Sequence, residues 1–132
     1  MAARFFVDES DLGLGRALGE RHDGVVFPGH VDLPEVPRGT LDDEWLRVLG
    51  TRRLVVITRD RRIRYRPVER EMWVAHRVRG FVLTGTASQS TADSLGLLDH
   101  HWAQLDGLVE SEPNGPWMRA VTQAGLRLID LG

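Results

Sequence analysis

Short apolar segments alternate along the chain with longer segments in which apolar side chains recur at helical spacing. Consecutive apolar positions rich in Val, Ile, Leu and Phe occupy four segments, 4–7, 24–27, 53–58 and 80–85. Such runs are typical of strands covered on both faces, because a strand with one wet face alternates apolar and polar residues. The final segment, 116–132, predicts two further short strands that meet around residues 123–125.

Four helices are predicted between these strands. Their segments, each with apolar residues three or four positions apart, are 12–22, 40–50, 67–78 and 90–111. We expect Thr40 to cap the second helix and Gly50 to end it. Ser10 or Asp11 is expected to cap the first helix, and Pro67 fits the first position of the third.

The order of these elements predicts the fold class. Strands that alternate with helices at this spacing indicate an α/β sandwich around a mostly parallel sheet. Residues 28–39 contain three prolines and are expected to form an irregular loop. A length of 132 residues corresponds to one domain, so we expect a single domain over residues 1–132.

Composition excludes several classes of protein. No apolar run approaches the roughly 18 residues that a membrane span needs, and the N-terminus has no apolar segment of signal-peptide length. There is no Cys, which removes disulfides and thiolate metal ligands. A cytoplasmic protein is therefore expected.

Charge is unevenly distributed, although the net charge is only −2. All 17 basic residues are Arg, and ten of them lie within residues 52–79, whereas residues 93–112 are acidic. Arginine suits planar, bidentate partners such as phosphate, and a basic face favours a nucleic-acid backbone. A genomic codon bias would give the same Arg usage, and charged runs are often only solvated faces.

Three acidic residues are predicted to meet at one edge of the sheet. Asp8 follows the first strand, Asp60 follows the third, and Asp42 lies in the first turn of the helix that leads into the third strand. Ligands bind beyond the carboxyl ends of parallel strands, and crowded carboxylates need a neutralising cation. Oxygen-only ligation favours Mg²⁺ or Mn²⁺ over zinc.

Each of these acids also has a structural interpretation. Asp42 would complement the helix dipole, and Asp8 would cap the first helix. Asp60 would pair with a neighbouring arginine of its loop. Asp11 fits a cap or a solvated residue better than a metal ligand, although it remains a candidate ligand.

Three stretches, "RFFVDES", "LDDEWL" and "LVVITRDRRIR", resemble the PIN-like nuclease domains, in particular the VapC-type toxins of bacterial toxin–antitoxin pairs. The resemblance implies a three-layer α/β/α fold, metal-dependent endoribonuclease activity, neutralisation by an antitoxin protein, and a possible homodimer. It assigns the metal-binding and catalytic acids to Asp8, Asp42 and Asp60. Asp42 is chosen over Asp43 because the acid of the family lies four residues before the leucine found here as Leu46.

The same resemblance assigns supporting roles around the acids. Thr58 occupies a position where the family often has a hydroxyl beside its acid. The usual fourth acid is missing from its expected place, and Asp93 and Asp11 are the candidates for it. Asp8 or Asp11 would orient the attacking water.

The arginines beside Asp60 are expected to clamp the RNA backbone; they are Arg59, Arg61, Arg62 and Arg64. The preference for RNA over DNA rests on the resemblance alone. The alternative function is a catalytically silent PIN-like module that binds RNA or a protein partner.

Overall fold

A six-stranded sheet forms the centre of the computed structural model, which describes residues 3–60, 63, 65–84 and 90–132, with only the backbone of Ser10. The strands are β1 (Phe5–Val7), β2 (Val25–Val26), β3 (Val55–Thr58), β4 (Arg79–Leu83), β5 (Trp117–Thr122) and β6 (Gly125–Ile129). Their order is β2-β1-β3-β4-β5-β6. The first five strands are parallel, and β6 returns antiparallel to β5.

Helices cover both faces of the sheet. Within the described residues they are α1 (Leu12–Arg21), α2 (Asp42–Arg52), α3 (Pro67–Ala75) and α4 (Thr91–Ser111). One core lies under α1 and α4, and the other lies under α2 and α3 together with the irregular segment 27–40. This arrangement confirms the expected three-layer α/β/α fold with a mostly parallel sheet.

The consecutive apolar residues of β3 explain why both faces are covered. Val55 and Ile57 pack in the core under α1 and α4, whereas Val56 packs in the core under α2 and α3. Successive side chains of a strand point to opposite faces, so an unbroken apolar run supplies both cores at once. All four residues of the strand are buried, as the sequence predicted.

The predicted cap of α2 was wrong. Leu41, not Thr40, precedes the helix, and no side chain caps it. The Thr40 hydroxyl instead donates to the carbonyl oxygen of Pro37 at 2.6 Å, so it stabilises the end of the preceding loop. The negative charge of Asp42, Asp43 and Glu44 in the first turn complements the helix dipole in its place.

The predicted end of α2 was also wrong. The helix continues past Gly50 to Arg52, and Arg53 closes it in the left-handed conformation, with φ of 57°. Gly50 is instead a close-approach site, since a Cβ atom there would lie 2.4 Å from the carbonyl oxygen of His76. The glycine therefore lets α2 pack against the end of α3.

Asp11 stands at the cap position of α1, which a short 3₁₀ turn over Glu9–Asp11 precedes. Its side chain makes no capping hydrogen bond. Pro67 does occupy the start of α3, as expected. No helix in the described ranges is both long and apolar enough to cross a membrane.

Gly80 of β4 allows the indole of Trp73 to lie directly on the sheet. A Cβ atom at Gly80 would lie 2.6 Å from Cη2 of Trp73 and 3.0 Å from Cβ of Val56. Trp73 is fully buried, and its Nε1 donates to the carbonyl oxygen of Trp117 at 3.2 Å. The rigid indole therefore has little freedom to move away from an added methyl group.

We predict that Gly80→Ala lowers the free energy of unfolding by about 1–3 kcal/mol, because it overpacks this contact. Gly107→Ala is the matched control, since nothing lies within 4 Å of a Cβ atom there and the residue belongs to α4. The control should raise the free energy of unfolding by about 0.5–1 kcal/mol through helix propensity. Urea denaturation measures both, and equal effects would contradict the packing role of Gly80.

Candidate functional site

The carboxyl ends of β1 and β3 lie side by side at the point where the strand order reverses. β1 neighbours β2 on one side and β3 on the other, and all three are parallel. Asp8 directly follows β1, and Asp60 comes two residues after the last residue of β3. Open α/β sheets bind their ligands at such a switch point.

The side chain of Thr58 joins these two acids. Its hydroxyl donates to Oδ2 of Asp8 at 3.3 Å and accepts from the backbone N–H of Asp60 at 3.0 Å. Thr58 is fully buried, while Asp8 and Asp60 are partly buried. The hydroxyl therefore holds the start of the loop after β3 against the end of β1.

Arg59 turns to Asp11 in the structure. Its Nε donates to Oδ1 of Asp11 at 2.8 Å, and its Nη2 makes a short contact with the same oxygen. The hydrogen bond that Arg59 donates to Asp11 raises the pKa of Arg59 against the opposing effect of desolvation, and the charges of Asp11 and Asp8 add to the increase. Asp11 is only 6% exposed, and the guanidinium group of Arg59 neutralises its carboxylate.

Asp60 has an arginine partner of its own. Nη1 of Arg66, the residue before α3, lies 3.1 Å from Oδ2 of Asp60. The structural interpretation of Asp60 as an ion-pair partner is thus correct, and one such partner lies six residues ahead. Arg61 and Arg62 lie outside the described residues, so a pairing with either of them stays a prediction. Sequence reasoning missed Arg66 because it stands next to Pro67 and beyond the arginines nearest to Asp60.

Asp42 begins α2 and is exposed. Its Oδ1 accepts a hydrogen bond of 2.9 Å from Nε1 of Trp45, which is buried. This contact anchors the indole, and the position complements the helix dipole. No described contact joins Asp42 to Asp8 or Asp60.

The remaining predicted residues divide into two groups. Asp93 lies in the first turn of α4, is exposed, and its backbone N–H donates to the Ser90 hydroxyl at 3.0 Å. Arg61, Arg62 and Arg64 lie outside the described residues. Their predicted contacts with RNA therefore stay predictions.

The described residues contain no group of three His, Cys, Asp or Glu side chains that could hold a metal ion. The expected site of Asp8, Asp42 and Asp60, with Asp11 as an additional ligand, therefore stays a prediction. The donor chemistry does fit a hard cation, because Mg²⁺ is often held by one or two carboxylates together with water and substrate phosphates. Asp8 and Asp60, which follow β1 and β3 at this edge, are the carboxylates available for such a site.

Glu9 is a further polar residue of this edge that the sequence did not indicate. Its Oε1 accepts a hydrogen bond of 2.6 Å from the backbone N–H of Gly39. The contact ties the turn after β1 to the end of the long loop before α2. No periodicity or motif indicates such a bond, because its partners lie 30 residues apart.

Comparison with protein families gives a match to a family described as "PIN like domain", over residues 3–85. The matched region contains β1 to β4 and therefore Asp8, Asp42, Thr58 and Asp60. No curated protein and no solved structure is significantly similar to the chain.

We predict that Thr58→Val lowers the free energy of unfolding by about 1–3 kcal/mol, because the backbone N–H of Asp60 and the carboxylate of Asp8, both partly buried, each lose a partner. Thr58→Ser is the control, since it keeps the hydroxyl and removes only a methyl group. Urea denaturation of both variants measures the difference. A Val variant as stable as the Ser variant would show that the hydroxyl does not hold the two strand ends together.

Proposed function

The chain belongs to the family of PIN-like domains, and from that premise we propose that it is a metal-dependent endoribonuclease that hydrolyses RNA phosphodiesters. PIN-like domains are generally nucleases. The observation that carries the proposal is that two acidic residues are bonded to Thr58 at the switch point of the sheet, Asp8 through its carboxylate and Asp60 through its backbone N–H.

The proposed ion is Mg²⁺ or Mn²⁺, with Asp8 and Asp60 as its main protein ligands. Asp42 and Asp11 are further proposed ligands, on the strength of the resemblance to VapC-type toxins. When bound, such an ion would lower the pKa of a coordinated water and neutralise charge on the phosphoryl group. The acids of the chain would orient that water, with Asp8 the best placed of them beside Thr58.

The arginines of this edge would bind the RNA backbone. Arg59 uses two of its five N–H donors on Asp11, which leaves donors for a phosphate oxygen. Arg66 lies against Asp60 and brings a second positive charge to the same edge. Phosphate contacts position the chain of the substrate without reading its sequence, so Arg59, Arg61, Arg62 and Arg64 would orient RNA rather than select it.

We further propose that the protein is the toxin component of a bacterial toxin–antitoxin pair. The support is the resemblance of three stretches of its sequence to VapC-type toxins. On this proposal the protein acts in the cytoplasm, is neutralised by an antitoxin protein, and forms a homodimer. The preference for RNA over DNA has the same support.

A second candidate function is a catalytically silent module that binds RNA or a protein partner. The observation that favours it is the pairing of two acids with arginines, Asp11 with Arg59 and Asp60 with Arg66. Such pairs neutralise carboxylates without a metal ion. The two functions differ in their dependence on Asp60, which the enzyme needs and the module does not.

We predict that the purified chain cuts single-stranded RNA in MgCl₂ or MnCl₂, and that this cleavage stops when EDTA is added. Asp8→Asn and Asp60→Asn should each lower kcat/KM by about 100-fold or more, because each removes a charged ligand from the proposed site. Asp42→Asn should lower it as well, whereas Asp43→Asn, its exposed neighbour, serves as the matched control and should cut normally. Gel analysis of end-labelled RNA measures the rates.

Circular dichroism of each variant separates a lost fold from a lost ligand. Cutting that persists in EDTA or in Asp60→Asn would contradict the metal-dependent mechanism. RNA that is bound but never cut, with binding lost in Arg61→Gln or Arg62→Gln and retained in Asp60→Asn, would instead establish the silent module.

The toxin proposal is tested with the same variants in bacterial cells. Induced wild-type protein should arrest growth, and Asp60→Asn should not. Co-expression of a small protein encoded beside this gene should restore growth to the wild type. Normal growth under wild-type induction, with cleavage retained in the test tube, would contradict the toxin role but not the nuclease activity.

A further inference from the structure

A basic cavity lies at the edge of the sheet opposite to Asp8 and Asp60. Its volume is about 230 Å³, and its polar lining consists of Arg53, His76, Arg77, Arg79 and Asn114. These residues precede β3, β4 and β5 or begin β4, so at least the length of β3, about 13 Å, separates the cavity from the acids. No acidic side chain lines this cavity in the described part of the chain.

Arg79 brings a buried positive charge to the cavity. It is 8% exposed and donates to the carbonyl oxygens of Arg53, Val109 and Glu112 at 2.9, 3.3 and 3.5 Å. Desolvation lowers the pKa of Arg79, and the charges of Arg53 and Arg4 lower it further. Carbonyl dipoles satisfy its N–H groups, but among the described residues no carboxylate pairs with it.

The neighbouring carboxylates are already paired with other arginines. Arg4 lies 2.6 Å from Asp106 and 3.1 Å from Glu110. The side chain of Glu112 pairs with Arg119. These acids therefore do not neutralise the cavity.

Helix dipoles reduce the charge of the cavity without cancelling it. α2, α3 and α4 all end at this edge, where Arg53, His76 and Glu112 follow their last residues. Each helix end carries about half a negative charge, so the three ends together carry less charge than the guanidinium groups of Arg53, Arg77 and Arg79. The cavity remains positive.

Two of the arginines hold backbone conformations that favour glycine. Arg53 and Arg77 have φ of 57° and 56° at the ends of α2 and α3. Glycine ends helices in this conformation without steric strain. Arginine at both positions keeps a charged residue in the lining of the cavity in spite of that strain.

We propose that this cavity binds a small phosphate-type oxyanion, for which the exposed Arg77 and the buried Arg79 supply the positive charge. Its volume is below the roughly 300–1,000 Å³ typical of sites for larger ligands, so it suits one phosphate group rather than a whole nucleotide. That group is either free phosphate or a phosphate of bound RNA. The proposal does not depend on the nuclease activity, because it uses no residue of the opposite edge.

Isothermal titration calorimetry with inorganic phosphate tests the site, at constant ionic strength maintained with NaCl and in EDTA. The wild-type chain should bind phosphate saturably. Arg77→Gln should weaken binding by about tenfold, because it removes a charge-assisted hydrogen bond. Arg16→Gln, which changes an exposed arginine of α1 on the other face of the sheet, should bind as the wild type does.

Arg77→Gly tests whether lost binding reflects lost stability. Glycine relieves the strain of the positive φ, so the melting temperature of this variant should equal or exceed that of the wild type. The variant should lose phosphate affinity as Arg77→Gln does. Absence of saturable binding up to about 10 mM phosphate, or equal affinity in Arg77→Gln and Arg16→Gln, would overturn the proposal.

Competition identifies the source of the phosphate group. A short single-stranded RNA is titrated in EDTA with and without saturating phosphate, in the wild type and in Arg77→Gln. Phosphate that weakens RNA binding to the wild type alone assigns the cavity to an RNA phosphate. Phosphate that binds without changing the affinity for RNA assigns the cavity to the free anion. Both results support the proposed site.

Discussion

The hydroxyl of Thr58 lies between the ends of two neighbouring strands and bonds to an acidic residue from each, and the candidate site depends on this contact. Through it Asp8 and the backbone of Asp60 are held together at the point where the strand order reverses. The hydrogen bonds of a buried hydroxyl that both donates and accepts contribute most to stability where water is excluded. The unbroken apolar run of β3 provides that exclusion, because it brings a core to each side of the strand.

Acidic residues gathered at one edge of the sheet favour positive charge nearby, and the chain supplies it from within. Arg66 pairs with Asp60, and Arg59 pairs with the buried Asp11 while its pKa is raised. The same guanidinium groups would meet a phosphate oxygen if RNA approached this edge. Opposite charges interleaved at one sheet edge thus suit both a cation beside carboxylates and a polyanion beside arginines, which is the combination that the proposed metal-assisted hydrolysis would use.

The sequence predicted the elements and layers well, since they follow from local patterns of apolar residues. It was wrong where a long-range contact overrode a local preference. Thr40 donates to Pro37 instead of capping α2, and Gly50 admits the carbonyl of His76 instead of ending the helix. The pairing of Asp11 with Arg59 joins residues 48 apart in sequence, so no spacing rule could have shown it. Asp8 and Asp60 could be placed at one edge because both follow the ends of buried strands, whereas the role of Thr58 came from the resemblance to PIN-like domains.

The most direct test of the central claim is an anomalous difference map from crystals of the wild-type protein grown with MnCl₂. We expect a manganese peak at about 2.2 Å from carboxylate oxygens of both Asp8 and Asp60, with the Thr58 hydroxyl still bonded to Asp8. A map in which Asp8 and Asp60 are ordered, Arg66 still pairs with Asp60, and no manganese lies between the two acids would contradict a metal-dependent nuclease site at this edge.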